Sequence, residues 1–127
     1  MSAIEEFLKE HGIEEVECLV PDMAGIARGK ILPAHKFVKG LKDNTLRIPE
    51  SIFVQTVNGS YPEDEKVTDP ATGDVYLVPD VDTVRLVPWY PEPTAQVICD
   101  AYHFDGTPVP FSARQVLKRV VKLFEYR

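Results

Sequence analysis

The sequence predicts an α+β domain, a β-grasp-like mixed sheet with flanking helices. Three observations predict it. Apolar residues recur at helical spacing near both ends of the chain. Between them lie short apolar runs with period-two alternation. Pro, Asp and Gly clusters punctuate these runs where turns are needed.

The first helix spans 3–11, where Ile4, Phe7 and Leu8 have i, i+3, i+4 spacing. Ser2 is its expected N-cap, Glu5 completes a capping box, and Gly12 is a natural stop. Residues 14–33 then read as a β-hairpin whose turn is the stretch PDMAG. The same stretch invites a phosphate-loop reading, since two glycines, Arg28 and Lys30 lie close together. The Walker pattern needs Lys followed by Ser or Thr and a helix beyond it. Here Ile31 follows Lys30, and Pro33 interrupts the chain before any helix. On the second strand Arg28 and Lys30 share a face, either as solvated edge charges or as functional cations.

AHKFVKGL predicts a short helical turn ending near Gly40. A strand is expected over Ser51 to Val57, from the alternation of Ile52, Val54 and Thr56 with Phe53, Gln55 and Val57. Residues 59–74 are acidic and rich in turn formers, as expected of a solvated loop. VYLVPD and VRLVPW read as two short strands closed by Pro79 and Pro88, and 94–104 as a longer one. After a DGTP turn, Ser112 is positioned to cap a last helix with an apolar stripe of Val116, Leu117, Val120, Val121 and Phe124.

The length of 127 residues suits one domain, and a net charge of −6 argues against a nucleic-acid partner. No apolar stretch approaches the ~18 residues of a membrane span. The amphipathic, acidic N-terminus does not read as a signal peptide, so a cytoplasmic setting is expected. Cys18 and Cys99 both sit in predicted strands, and two buried reduced thiols are expected. Whether these strands are neighbours is not legible. The histidines 11, 35 and 103 are scattered, and no metal site is expected. No set of residues forms a nucleophile elbow or a catalytic group, so no catalytic residue is assigned. The last helix has a broad apolar face and no stop signal, so the chain reads as cut.

Two segments extend this reading. VPDMAGIARGKILP carries Asp22, Gly25, Arg28, Gly29, Lys30 and Pro33. The later stretch carries Gly73, Asp74, Pro79, Asp80, Thr83, Pro88 and Trp89. Ala95, Val97, Asp100, Asp105, Gly106 and Pro108 follow, and then Arg114, Val116, Leu117 and Arg119. From about Glu14 onward this ordered set resembles the N-terminal domain of the glutamine synthetase family. The resemblance implies a β-grasp-like domain over 1–110, with 111–127 as the start of the first helix of a catalytic domain. It departs from the family at FSAR, where members often carry Asp-Pro-Arg.

The resemblance implies an ATP-dependent glutamate–amine ligase. Glutamate's side-chain carboxylate would form a γ-glutamyl phosphate, with Mg or Mn screening phosphates, and an amine or ammonia would displace phosphate. It implies no cofactor held within this stretch, which alone would be inactive. It also implies a homo-oligomer in which this domain completes the neighbouring subunit's site. Ammonia-using members carry an Asp-Gly-Ser-Ser loop; this chain has RIPESIFVQTVNG instead. That form is similar to the γ-glutamylpolyamine (γ-glutamylputrescine) synthetase branch. Glu50 and Ser51 are therefore candidate substrate-binding residues, and Arg28 and Lys30 candidates at the interface or active-site edge. The alternatives are a solvated acid and a turn hydroxyl for Glu50 and Ser51, and, for the whole chain, a non-catalytic β-grasp binding or regulatory module.

Overall fold

In the computed structural model, residues 1–62 and 73–125 are described. Most of the predicted acidic loop over 59–74 lies outside them. Helix α1 spans Ala3–Glu10, and the Ser2 hydroxyl accepts from the Glu5 amide at 3.3 Å, so the cap forms as predicted. Ile4 and Leu8 are its buried residues. The hairpin also forms: β1 (Glu15–Pro21) pairs antiparallel with β2 (Ala27–Pro33).

Helix α2 spans Ala34–Asp43 and ends on Asn44 in the left-handed conformation. It runs past Gly40, the expected stop. Gly40 is buried inside the helix, and a Cβ there would meet Leu46 Cδ2 at 2.6 Å. The glycine thus permits close packing and does not end the helix.

The expected strand over Ser51 to Val57 is corrected. Strand β3 (Arg47–Pro49) comes earlier, and Glu50–Val54 forms a 3-10 helix. Short apolar runs do not distinguish strand from helix by periodicity alone. Here one side chain decides: Phe53 is buried, edge-on to Phe111 with centroids 6.1 Å apart.

Strands β4 (Asp74–Pro79), β5 (Arg85–Val87) and β6 (Thr94–Tyr102) follow, with one 3-10 turn over Val81–Thr83. Helix α3 (Ala113–Glu125) ends the described chain. The sheet order is β2-β1-β6-β4-β3, and β5 also pairs with β6. Among the described residues only the β1–β6 pair is parallel, so the sheet is mixed, with three flanking helices, as the sequence predicts.

Alternation along the strands sorts the two faces. Val16, Cys18 and Val20 of β1 join Val97, Cys99 and Ala101 of β6 in the core with Ile4, Leu8 and Phe37. Burying a side chain such as Phe37 contributes about 2–3 kcal/mol. Glu17, Gln96 and Asp100 point to the opposite face. There Gln96 Nε2 donates to Glu17 Oε2 at 2.6 Å, and Asp100 receives α3. Cys18 and Cys99 are both buried and free, on adjacent parallel strands. Hydrogen bonding to Cys18 and burial both push the Cys99 thiol up.

No helix among the described residues is long and apolar enough to cross a membrane.

Candidate functional site

The hairpin turn is organised by one carboxylate. Asp22 Oδ1 accepts from the amides of Ala24 and Ile26, both at 2.9 Å. Gly25 has φ +79°, which a side chain rarely adopts. The turn's N–H groups are therefore occupied by the protein's own carboxylate. That arrangement excludes the phosphate-loop reading, which needs these donors free.

Asp22 Oδ2 binds Arg28 Nε at 2.6 Å, and the two side chains are 2% and 14% exposed. Burial raises the Asp22 carboxyl, but Arg28 and the amides of Ile26 and Ala24 outweigh it and hold it below the usual carboxylate range. Arg28 is thus no solvated edge charge. Its Nη2 donates to the Thr56 carbonyl at 2.8 Å. From the same face of β2, Lys30 Nζ donates to the Arg47 carbonyl at 2.5 Å. Arg47 is itself oriented by aromatic rings, with its guanidinium 5.3 Å from the Tyr76 centroid and 5.2 Å from that of Phe104.

These contacts bring the predicted site residues into one region. Arg28 and Lys30 grip the backbone at Thr56 and Arg47, and Glu50 and Ser51 lie between those two points. The structure shows no direct bond, among the described residues, between either cation and Glu50. The segment is held from both ends. Pro49 pairs with Asp74, and the Glu50 amide donates to the Gly73 carbonyl at 3.0 Å. At the other end, Thr56 Oγ1 meets Ser60 Oγ at 2.7 Å.

Ser51 is half-buried. Glu50 Oε2 is sealed from solvent and has no hydrogen-bond partner among the described residues. A buried carboxylate oxygen without a donor is costly, so it marks a place where a donor is missing.

Sequence reasoning missed a second constellation. Arg114, near the start of α3, donates from Nε to Asp100 Oδ1 at 2.9 Å and from Nη2 to Asp80 Oδ2. Lys118 Nζ reaches Asp100 Oδ2 at 2.5 Å. This network joins α3 to the sheet. Its residues are far apart in sequence, and although Asp80, Asp100 and Arg114 belong to the ordered motif set, nothing in the sequence pairs them.

Among the described residues, no group of three or more His, Cys, Asp or Glu side chains is arranged to hold a metal ion.

No family model matches the chain. Curated relatives do. A glutamate–isopropylamine ligase from a Pseudomonas species is 30% identical over 124 residues, 96% of this chain and 27% of that protein. A glutamine synthetase from Staphylococcus aureus is 31% identical over 124 residues, 96% of this chain and 25% of that protein. Among solved structures, a GmaS/ADP complex superposes with a TM-score of 0.69 at 25% identity, covering 94% of this chain and 25% of that one. The chain spans about a quarter of the length of these relatives. Its homologues are glutamine synthetase family members, matched over their N-terminal region at about 30% identity.

Proposed function

We propose that this chain is the N-terminal domain of an ATP-dependent glutamate–amine ligase of the glutamine synthetase family, and that its acceptor is an organic amine and not ammonia. The Glu50 carboxylate, on a segment clamped at Arg47 and Thr56, carries the reading. A carboxylate at the acceptor site attracts a cationic amine and can take its proton, freeing the lone pair that attacks the activated glutamate. The isopropylamine specificity in the name of one relative is consistent with an alkylamine. The γ-glutamylpolyamine branch remains our assignment, resting on RIPES in place of an Asp-Gly-Ser-Ser loop.

In this reading the chain's own residues bind and orient. Asp22, Arg28 and Lys30 fix the segment 47–56, and that segment presents Glu50 and Ser51 to the acceptor. ATP, glutamate and magnesium or manganese act in parts of the protein that this chain does not include, and the chain alone is inactive. The whole protein is a homo-oligomer in which this domain completes a neighbouring subunit's site. Its setting is the cytoplasm, where buried thiols such as Cys18 and Cys99 stay reduced.

The test is an acceptor panel on the full-length enzyme, comparing ammonium with short alkylamines and diamines. The reading expects at least about tenfold higher kcat/KM for an organic amine, a difference of ~1.4 kcal/mol. An enzyme that uses free ammonium far better than every organic amine overturns it.

A further inference from the structure

The segment that carries Glu50 and the start of α3 meet at one contact. Phe53 is 3% exposed, and its ring stands edge-on to that of Phe111, with the planes at 74°. Edge-on rings are held by their electrostatics as well as by buried area, so the pair fixes an angle and not only a distance. Each ring belongs to a different element. Phe53 sits in the 3-10 helix Glu50–Val54. Phe111 directly precedes the buried Ser112, whose carbonyl accepts from the Val116 amide at 3.0 Å as α3 begins. Arg114 then ties that start to Asp100 and Asp80.

Side chains three apart in a 3-10 helix lie one above the other. Glu50 and Phe53 are three apart, so both leave the same side of the short helix. Burial agrees with this placement, since Glu50 is half-buried and its Oε2 is sealed from solvent. Arg28 and Lys30 hold the segment by the carbonyls of Thr56 and Arg47. Those bonds fix where the segment runs. They do not fix how the short helix between them is rotated about its own axis. Phe53 is the buried residue of that helix, so its seat sets the rotation.

We propose that Phe111 is a positioning residue for the acceptor amine. By seating Phe53 it sets the rotation of the 3-10 helix, and with it the direction of the Glu50 carboxylate. This rests on the reading of Glu50 as the acid that binds the amine, and adds that the start of α3 tunes amine affinity from behind the site.

The test is steady-state kinetics of the full-length enzyme carrying Phe111→Leu, Phe53→Leu, both together, or Phe111→Tyr. Leucine keeps apolar bulk and removes the ring. Tyrosine keeps the ring, at a half-buried position where its hydroxyl can reach water. Each leucine variant should raise the amine KM about threefold to tenfold, the range one edge-on aromatic contact supplies, and leave the KM values for glutamate and ATP unchanged. Phe111→Tyr should restore most of the parent's amine affinity. The double variant should be no worse than the worse single one, because either substitution alone removes the contact. Phe37→Leu, in the core on α2, should lower Tm at least as much and leave the amine KM unchanged. An unchanged amine KM in both leucine variants overturns the proposal. So do additive effects in the double variant, a rise spread over all three substrates, or an equal rise in Phe37→Leu. Glu50→Gln in the same assay separates two failures. If it raises the amine KM and the leucine variants do not, only the role of Phe111 falls. If it does not, the acceptor reading falls, and this inference with it.

Discussion

Lys30 Nζ donates to the carbonyl of Arg47 at 2.5 Å, linking β2 at one end of the sheet order to β3 at the other. Together with Arg28 on the Thr56 carbonyl, it makes the hairpin a clamp on the segment that carries Glu50. Two substitutions separate the two grips. Lys30→Met removes one partly solvated bond and should cost about 1 kcal/mol. Arg28→Met strands the buried Asp22 carboxylate and should cost about 2–3 kcal/mol. Denaturant unfolding measures both. Hydrogen exchange should show faster opening at 50–60 in each variant, and equal costs for the two would contradict the account.

The acid limb of stability should depend on Asp22. Its carboxyl is held below the usual range in the folded state, so its contribution is full above the unfolded value of ~4 and is lost as pH falls through the folded value. Stability should therefore drop on acidification below about pH 4. Asp22→Asn should be less stable at neutral pH and show a shallower acid loss. Parallel curves for the two proteins would show that another group governs this limb.

Gly29 should tolerate no side chain. A Cβ there would lie 1.8 Å from the Cys18 carbonyl oxygen of the neighbouring strand. That clash is with backbone, which cannot swing aside. Gly29→Ala should destabilise by more than about 3 kcal/mol or shift the hairpin register. A Tm within a few degrees of the parent would contradict the β1–β2 pairing.

Arg114→Met should loosen α3. It leaves Asp80 and Asp100 without their guanidinium partner, and Asp100 is only 6% exposed. The expected loss is about 2–3 kcal/mol, with part of the helical circular dichroism lost before the sheet melts. A single transition with unchanged midpoint would mean that packing alone holds the helix.

Legibility in the sequence followed the range of the interactions. Helix α1 was readable because Ser2, Glu5 and Gly12 act within a turn or two of the chain. The hairpin was readable for the same reason, since Asp22 bonds only as far as Arg28. The 3-10 helix over Glu50–Val54 was not, because Phe111, the partner that seats Phe53, lies more than fifty residues on. Gly40 misled for a like reason: its packing on Leu46 is tertiary. At the site, the residue types of Glu50, Ser51, Arg28 and Lys30 stood out by their motif context. Their grouping did not, since it depends on bonds to the carbonyls of Arg47 and Thr56, which a side-chain pattern does not reveal.

The most direct test of the central claim is steady-state kinetics of Glu50→Gln in the full-length enzyme with its best amine. Glutamine keeps the shape of the side chain and removes its charge. The account predicts a rise in amine KM of about tenfold or more, worth ~1.4 kcal/mol or more, with the KM values for glutamate and ATP unchanged. An unchanged amine KM, or a loss spread equally over all three substrates, would contradict it and return Glu50 to the role of a structural acid.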